Sequence, residues 1–428
     1  MRGTQIASVK GRRVWDSRGR PTVEAEVHLA GGGFGRGQAP SGASTGKAEA
    51  VERRDGGAAL GGFDVKGAVA AINGEIARAL IGRDAADQEA TDGLLIALDG
   101  TSNKRRLGAN ALVAVSMATL QAAANAAARP LYAYLLGEAE GARIPLPEIQ
   151  IFGGGAHAGR RVDIQDFMVM APRAASFSEA LEWTAEVYRA AGAILDESGE
   201  RFGVADEGGY WPAFASNERA LDALLRAIER AGLKPGEDIL LSLDIAASQF
   251  YENGLYRLGL EGRALDSGEM AAMLTEWLDR YPIASIEDPF AEEDLEGWRR
   301  FCAAVGERVQ IVGDDLLVTS ARKVEEAAAS RACNALLLKP NQAGTVSEAK
   351  RALEAARKAG FGAIASARSG ETEDVSIVHL AVGWGVPQLK VGSFARGERM
   401  AKWNEGLRIE EALGSRAHFA GAAPLRGR

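Results

Sequence analysis

Hydrophobic and polar positions follow one pattern in the first third of the chain. Gln5 to Trp15 and Thr22 to Val27 have the composition and alternation of two strands, separated by the turn Asp16-Ser17-Arg18-Gly19. A glycine-rich stretch follows at 31–46, and residues 47–136 then show a helical pattern rich in Ala, Leu, Glu and Arg. A strand meander followed by helices predicts a small α+β unit.

Beyond the prolines at 145 and 147 the pattern changes to short apolar runs that alternate with amphipathic helical stretches. The apolar runs lie at residues 238–243, 283–286, 309–312, 335–338, 362–365 and 388–389. Near-continuous apolar strands separated by helices are typical of a buried parallel sheet. The run ends carry ionisable or polar residues, namely Asp244, Glu287, Asp314, Lys339, Arg368 with Ser369, and Lys390. Their spacing fits successive βα units of a closed barrel, in which the carboxyl ends of the strands converge on one active site.

These patterns predict an α/β protein with two domains. A chain of 428 residues is also longer than one hydrophobic core usually supports. We expect residues 1–136 to form an N-terminal α+β capping domain, and residues 145–428 to form an (α/β)8 barrel of the TIM type.

Composition narrows the classes of function. Hydrophobic residues make up 46% and charged residues 25%, as in globular proteins. The net charge of −8 is dispersed, which argues against a nucleic-acid partner. No signal peptide or membrane-spanning run is visible, and Cys302 and Cys333 are best explained as structural thiols in a reducing compartment, so we expect a cytoplasmic protein. The four histidines are scattered, so any metal should have carboxylate ligands, which favours Mg²⁺ or Mn²⁺.

Three carboxylates at successive strand ends predict a metal site. A single loop carboxylate is usually only solvated, but Asp244, Glu287 and Asp314 share the same position in three consecutive units. Together they would surround one divalent cation at the mouth of the barrel.

Two lysines follow at later strand ends and suggest proton transfer. Such lysines usually form salt bridges or reach towards solvent. Near bound cations, however, Lys339 would be driven towards its neutral form and could remove a proton α to a carboxylate. Lys390 would face the same mouth of the barrel. A leaving group then needs an acid, for which Glu207 and Asp166 are the candidates.

Polar groups near the mouth of the barrel suit a phosphorylated or phosphonylated substrate. Arg368 with Ser369, and the loop that contains Ser44, would supply cationic and hydroxyl groups for such an anion.

The motifs occur in an order that resembles the enolase (phosphopyruvate hydratase) family along nearly the whole chain. The matching segments include Asp16 to Gly19, Pro40 to Gly46, Gly108 to Ala111, His157 to Gly159, Asp206 to Gly209, Asp244 to Ser248, Ser285 to Pro289, Val312 to Asp315, Leu336 to Lys339, Arg368 to Asp374, Gln388 to Lys390 and Arg408 to Glu411. The resemblance implies an N-terminal α+β domain before an enolase-type barrel.

The resemblance also implies a reaction, the dehydration of 2-phosphoglycerate to phosphoenolpyruvate in glycolysis by a carbon–oxygen hydro-lyase with two Mg²⁺ ions per site. The implied roles are Lys339 as base, Glu207 with Asp166 as acid pair, Asp244, Glu287 and Asp314 as ligands of the first ion, Ser44 at the second ion and the phosphate, Lys390 at the substrate carboxylate, Arg368 and Ser369 at the phosphate, and His157 on a closing loop. A cytosolic homo-oligomer, a dimer or octamer, is implied as well.

Three departures from the family pattern surround the expected substrate. Ala367 replaces a histidine, Asp166 replaces a glutamate, and residues 153–157 read Gly-Gly-Gly-Ala-His where the family has Asn-Gly-Gly-Ser-His. They keep two alternatives open. One is a related lyase acting on another phospho- or phosphono-hydroxy acid, similar to the enzyme that makes carboxyphosphonoenolpyruvate. The other is a non-catalytic enolase-like protein.

Overall fold

The computed structural model describes residues 3–159 and 161–426. The chain begins with an antiparallel sheet of three strands, Ile6–Trp15, Pro21–Leu29 and Phe34–Gln38. The predicted turn joins the first two, where the Asp16 carboxylate accepts the backbone N–H groups of Arg18 and Arg20.

Helices cover one face of this sheet. They are Lys66–Ala71, the π-helical segment Ile72–Ile76, Ala77–Leu80, Gln88–Asp99, Ala109–Ala126 and Leu131–Leu136. The helix Ala109–Ala126 packs closely on the third strand because Gly35 and Gly37 leave no side chains between the two backbones. The helical pattern predicted from residue 47 is wrong over residues 47–65, where the one helical segment among the described residues is the short 3-10 turn Ala59–Gly62.

The second part of the chain is a barrel of eight strands within the described residues. In chain order they are Leu146–Gly153, Asp166–Met170, Leu240–Asp244, Ile283–Glu287, Gln310–Gly313, Ala335–Leu338, Gly362–Ser366 and Gln388–Gly392. The last strand pairs with the first and closes the barrel. All six apolar runs of the sequence form strands of this barrel, which confirms the predicted barrel fold.

The second strand runs opposite to the expected parallel direction. Asp166–Met170 pairs antiparallel with both of its neighbours, and Asp166 lies opposite Asp244 in the register. Its first residue therefore lies at the edge where the other strands have their carboxyl ends. This reversal brings Asp166 to the functional end of the barrel.

Helices form the outer layer of the barrel. They are Phe177–Ser198, Asn217–Arg230, Ser267–Arg280, Leu295–Val305, Ala321–Ser330, Pro340–Ala343, Val346–Lys358, Ser376–Gly383 and Gly397–Leu413. Side-chain caps define several starts, as where Ser176 and Thr345 accept N–H groups of the first turn. No helix in the described part of the chain is long and apolar enough to cross a membrane.

Short elements complete the fold. The strands are Ala142–Ile144, Arg201–Val204, Tyr210–Pro212, Tyr251–Glu252, Leu255–Leu258, Arg263–Leu265 and Ala417–Phe419, and the 3-10 turns are Gly155–Ala158, Ala247–Phe250 and Gly414–Arg416. The hairpin formed by Arg201–Val204 and Tyr210–Pro212 extends the barrel sheet beside its first strand.

The N-terminal part contacts the carboxyl end of the barrel. Ser41 and Gly370 form an isolated β-bridge, and Lys104 forms an ion pair with Glu348 at 2.9 Å. These contacts hold the loop that follows Ser41 over the strand ends. Much of the N-terminal part has its own hydrophobic core, whereas Met117, Leu120, Ala124, Leu131 and Tyr132 pack into the core of the barrel. The division into two domains at 136 and 145 stays a prediction.

Candidate active site

The predicted site residues meet in one small cleft at the carboxyl end of the barrel. The cleft is lined by Gly42, Ala43, Ser44, His157, Gln165, Asp166, Glu207, Asp244, Lys339, Ser366, Ala367, Arg368, Ser369 and Lys390. Glu287 and Asp314 do not line the cleft, but each contacts one of its lysines. Residues as far apart in the chain as Gly42 and Lys390 are thus brought together.

Lys390 joins the carboxylates of neighbouring strands. Its Nζ lies 2.7 Å from Glu287 Oε2, 2.9 Å from Asp244 Oδ2 and 3.6 Å from Asp166 Oδ2. Burial disfavours the ammonium, but the carboxylates of Asp244 and Glu287 outweigh it and raise the pKa of Lys390 well above its usual value. Lys390 is therefore a fixed positive charge at the centre of the cleft.

Lys339 forms a separate ion pair. Its Nζ donates to Asp314 Oδ2 at 2.6 Å. Burial opposes the charge, but Asp314 raises the pKa of Lys339 above its ordinary value. The expectation of a neutral Lys339 is therefore not met by the protein groups alone, because the nearest group is a carboxylate and not a cation.

Glu287 has the properties of an unsatisfied cation ligand. Burial, together with the nearby Asp244, raises its carboxyl pKa well above the usual value. Its Oε1 atom is buried and accepts no hydrogen bond within the described chain. A buried carboxylate oxygen without a partner is costly, and a hard divalent cation would satisfy it. The donor set Asp244, Glu287 and Asp314 is therefore chemically suited to Mg²⁺.

A second acidic group next to this set was missed by the sequence reasoning. Asp288, Asp314 and Asp315 are buried, with one oxygen of each within 4.8 Å of the others. The Asp288 carboxylate accepts the backbone N–H groups of Asp314 and Asp315 at 2.9 and 2.8 Å. Burial and then Asp314 raise the pKa of Asp315 to about 8. Because the Asp288 carboxylate already accepts the backbone N–H groups of this turn, we infer that it supports Asp314. The adjacent acidic pairs Glu287-Asp288 and Asp314-Asp315 are the sequence feature that could have revealed this group.

Mg²⁺ is expected to raise the melting temperature of the full chain, and a chelator is expected to reverse the effect. A cation bound only by the folded state stabilises it by about 2.7 kcal/mol when its free concentration is about 100 times the dissociation constant. Glu287→Gln should remove most of the shift in a thermal melt. Glu148→Gln is the matched control, since Glu148 is also a fully buried barrel carboxyl but contacts Ser242. Equal shifts in both variants would contradict the assigned ligands.

The acid candidates form a cluster on another wall of the cleft. His157 Nδ1 lies 3.0 Å from Asp166 Oδ1, and its Nε2 lies 3.8 Å from Glu207 Oε1. Burial disfavours the imidazolium, but Asp166 and Glu207 outweigh it and raise the pKa of His157. Burial likewise opposes ionisation of Glu207, but His157 lowers its carboxyl pKa. The cluster can therefore store and move protons within a few ångströms.

The loop that carries His157 is tied to the metal-ligand set by two glutamines. Gln249 accepts the backbone N–H of Ala156 at 3.1 Å and donates to Gln165. Gln165 in turn donates to Asp244 Oδ2 at 2.9 Å. The sequence reasoning did not single out these amides.

Arg368 and Ser369 lie beside the N-terminal loop, as an anion site would require. Both terminal nitrogens of Arg368 contact the Glu49 carboxylate, at 3.0 and 3.1 Å, and one contacts the Ser44 carbonyl oxygen at 3.1 Å. Ser369 Oγ accepts from Arg18 at 3.2 Å. Arg18 adds a buried cation that the sequence reasoning treated only as part of a turn.

The geometry places base and acid candidates on opposite sides of the barrel. Lys339 follows the sixth strand and Asp166 begins the second, four places away in a ring of eight within the described chain. Fold and site together define a TIM-barrel enzyme whose carboxylates and lysines converge at the carboxyl ends of its strands.

Comparisons with known proteins agree with this class. The model described as "Enolase, N-terminal domain" matches residues 6–135, and the model described as "Enolase, C-terminal TIM barrel domain" matches residues 142–427. The chain is 49% identical over 420 residues to "Enolase 2" of Pseudomonas syringae pv. syringae (strain B728a), covering 98% of each. It is 49% identical over 422 residues to "Enolase 1" of Desulfitobacterium hafniense (strain Y51), covering 98% of this chain and 96% of that one. The chain belongs to the enolase family, and its kind of activity is that of a lyase.

Proposed function

We propose that this chain dehydrates 2-phosphoglycerate to phosphoenolpyruvate. The observation that carries the proposal is the placement of Lys339 on one side of the barrel and of the His157–Asp166–Glu207 cluster on the other, within one small cleft. Elimination of water from a 2-phospho-3-hydroxy acid needs a base at C2 and an acid at the C3 hydroxyl. Two such groups on opposite walls can act on opposite faces of one small substrate.

The proposed reaction assigns each proton to a residue. In its neutral form, which a cation bound at Asp314 would favour, Lys339 Nζ takes the C2 proton and the C2–H electron pair becomes the C2–C3 double bond. The C3 hydroxyl leaves as water with a proton that His157, whose pKa is raised, supplies through Glu207. His157 and Asp166 hold the acid side, and Lys390 faces the substrate carboxylate. Arg368 and Ser369 receive the phosphate, which requires the guanidinium to exchange Glu49 for the substrate.

The proposed cofactor is Mg²⁺, two ions per site. Asp244, Glu287 and Asp314 would hold the first, and Ser44 would join the phosphate at the second. When bound, Mg²⁺ supplies positive charge for the carboxylate and phosphate of the substrate. Family resemblance is the support for three further proposals, a place in glycolysis, a cytoplasmic location, and a homo-oligomer that is a dimer or octamer.

A second candidate substrate class is supported by one observation. Ala367 lines the cleft where the family has a histidine, between Ser366 and Arg368. The smaller side chain leaves room beside the anion site for a bulkier phospho- or phosphono-hydroxy acid.

The substitution Ala367→His is expected to separate the two substrate classes. If 2-phosphoglycerate is the substrate, the added imidazole should raise kcat/KM for it or change it by less than about tenfold, because it restores the side chain that the family has at this position. If a bulkier acid is the substrate, the same change should lower turnover of that acid by more than tenfold, because filling space that a substrate needs costs about 1–3 kcal/mol. The measurement is product formation with Mg²⁺ from 2-phosphoglycerate and from a set of larger phospho- and phosphono-hydroxy acids, for wild type and variant.

Ala365→Ser is a suitable control for these comparisons. Ala365 is buried two residues earlier, within the strand Gly362–Ser366 that precedes Ala367, and does not line the cleft. A substrate preference that changes equally in both variants would assign the effect to the strand and not to position 367. Wild-type turnover of a larger acid with none of 2-phosphoglycerate would overturn the proposed substrate.

A further inference from the structure

One of the departures from the family pattern, Asp166, contacts the side chain of Gln150. This residue lies on the first barrel strand and is 1% exposed. Its amide nitrogen donates to Asp166 Oδ1, and its amide oxygen accepts the backbone N–H of Gly209 at 2.8 Å. Gln150 therefore links the acid Asp166 to the turn that carries Glu207.

The packing of Gln150 explains one neighbouring glycine. A Cβ added to Gly209 would lie 2.6 Å from Gln150 Oε1, which is shorter than packed carbon and oxygen atoms allow. At Gly153 the nearest obstacle is a different residue, since an added Cβ would lie 2.5 Å from Ala205 Cβ and 3.3 Å from Gln150 Nε2. Gln150 therefore requires a glycine at 209, whereas Ala205 is the first obstacle to a side chain at 153.

Gln150 also sets the direction of the Asp166 carboxylate. Oδ1 of Asp166 accepts from Gln150 and faces His157 Nδ1 at 3.0 Å. Oδ2 accepts no hydrogen bond within the described chain and lies 3.6 Å from Lys390 Nζ. An aspartate has one methylene fewer than the family glutamate, so its carboxylate lies closer to its own strand. A glutamine is long enough to reach it there, and an asparagine is not.

We propose that Gln150 is a positioning residue whose length is matched to Asp166. The pair Gln150 and Asp166 contains the same number of methylenes as an asparagine paired with a glutamate. Lengthening the acid while shortening the amide should therefore preserve the contact, whereas either change alone should break it or overfill the space. This inference rests on the proposed function for its kinetic readout.

A double-mutant cycle tests whether the side-chain lengths at positions 150 and 166 are matched. Gln150→Asn and Asp166→Glu are each expected to lower kcat by about 10- to 100-fold, because displacements of about 1 Å at catalytic groups have effects of that size. The double variant is expected to recover kcat to within about fivefold of wild type, with KM changed little throughout, since neither side chain touches the anion site. Non-additivity of this kind marks residues in direct contact.

Gln310→Asn is the matched control. Gln310 is a buried barrel glutamine that exchanges hydrogen bonds with Gln388 at 2.8 and 3.1 Å, and it does not line the cleft. Shortening it removes the same methylene and should lower the melting temperature while leaving kcat nearly unchanged. Equal losses of kcat in Gln150→Asn and Gln310→Asn would mean that Gln150 acts only through stability, which would overturn the proposal.

The cycle also has a readout that does not need the proposed substrate. If wild type forms no phosphoenolpyruvate, the proposed function fails, and urea unfolding of the same four proteins decides the inference alone. If the side-chain lengths at positions 150 and 166 are matched, both single variants should have lower urea midpoints, and the urea midpoint of the double variant should return towards the wild-type value. Additive losses in the double variant, in kcat or in the urea midpoint, would overturn the matching of Gln150 to Asp166.

Discussion

Lys339→Ala is expected to lower phosphoenolpyruvate formation by about 1,000-fold or more, because it removes the group that takes the C2 proton. The same variant should also lose exchange of the C2 hydrogen of 2-phosphoglycerate with D₂O, followed by proton NMR. Both losses are expected because no other lysine lines this side of the cleft among the described residues.

The control for this variant is Lys350→Ala. Lys350 is an exposed lysine that pairs with Glu354 on the helix Val346–Lys358, outside the cleft. It should retain wild-type rates. Since removal of Lys339 leaves Asp314 without its ion-pair partner, melting temperatures are measured with Mg²⁺ for all three proteins. Retained C2 exchange in a folded Lys339→Ala protein would contradict the assignment of the base.

Glu207→Gln is expected to separate the two halves of the reaction. Phosphoenolpyruvate formation should fall by about 100- to 10,000-fold, since the acid for the leaving hydroxyl is lost. Exchange of the C2 hydrogen should persist, because Lys339 lies on the opposite side of the barrel and is unchanged. Exchange without elimination is a result that general damage to the site does not produce.

Glu200→Gln is the comparison for Glu207→Gln. Glu200 precedes the same hairpin but pairs with Arg219 at 3.0 Å, away from the cleft. It should support both exchange and elimination at wild-type rates. If Glu207→Gln lost exchange as completely as Lys339→Ala, the separation into a base wall and an acid wall would be wrong.

The strands of the barrel differ in how well the sequence predicts them. Runs such as 335–338 are wholly apolar because they are buried on both faces, and all six such runs form strands. The first two barrel strands, Leu146–Gly153 and Asp166–Met170, were not predicted as strands. The first contains Pro147, which is unusual inside a sheet, together with Glu148 and Gln150. The two polar side chains contact partners inside the barrel that no local pattern reveals.

The direction of the second strand could not be predicted either. Alternation of strands and helices favours a parallel barrel, but here two strands precede two helices, and Asp166–Met170 turns back against its neighbours. The consequence is functional, because only the reversed direction brings Asp166 to the same end as Asp244. Tertiary pairing, and not local propensity, determines that placement.

The residues of the candidate site also differ in how well the sequence predicts them. Residues at strand ends, such as Asp244 and Lys339, could be predicted because their position repeats with the βα units. Supporting residues such as Asp288, Glu49 and Gln150 could not, since their roles depend on contacts between distant segments. Among the departures from the family pattern, Ala367 lines the cleft and Asp166 contacts Gln150.

The most direct test of the proposed reaction is phosphorus and proton NMR of the purified full chain with 2-phosphoglycerate and Mg²⁺ in D₂O. We expect a phosphoenolpyruvate resonance to appear in the phosphorus spectrum, the C2 proton resonance of the remaining substrate to decline as deuterium replaces it, and both changes to be absent with a chelator. A folded protein that binds Mg²⁺ but produces neither phosphoenolpyruvate nor C2 exchange would contradict 2-phosphoglycerate as the substrate and redirect the search to larger acids.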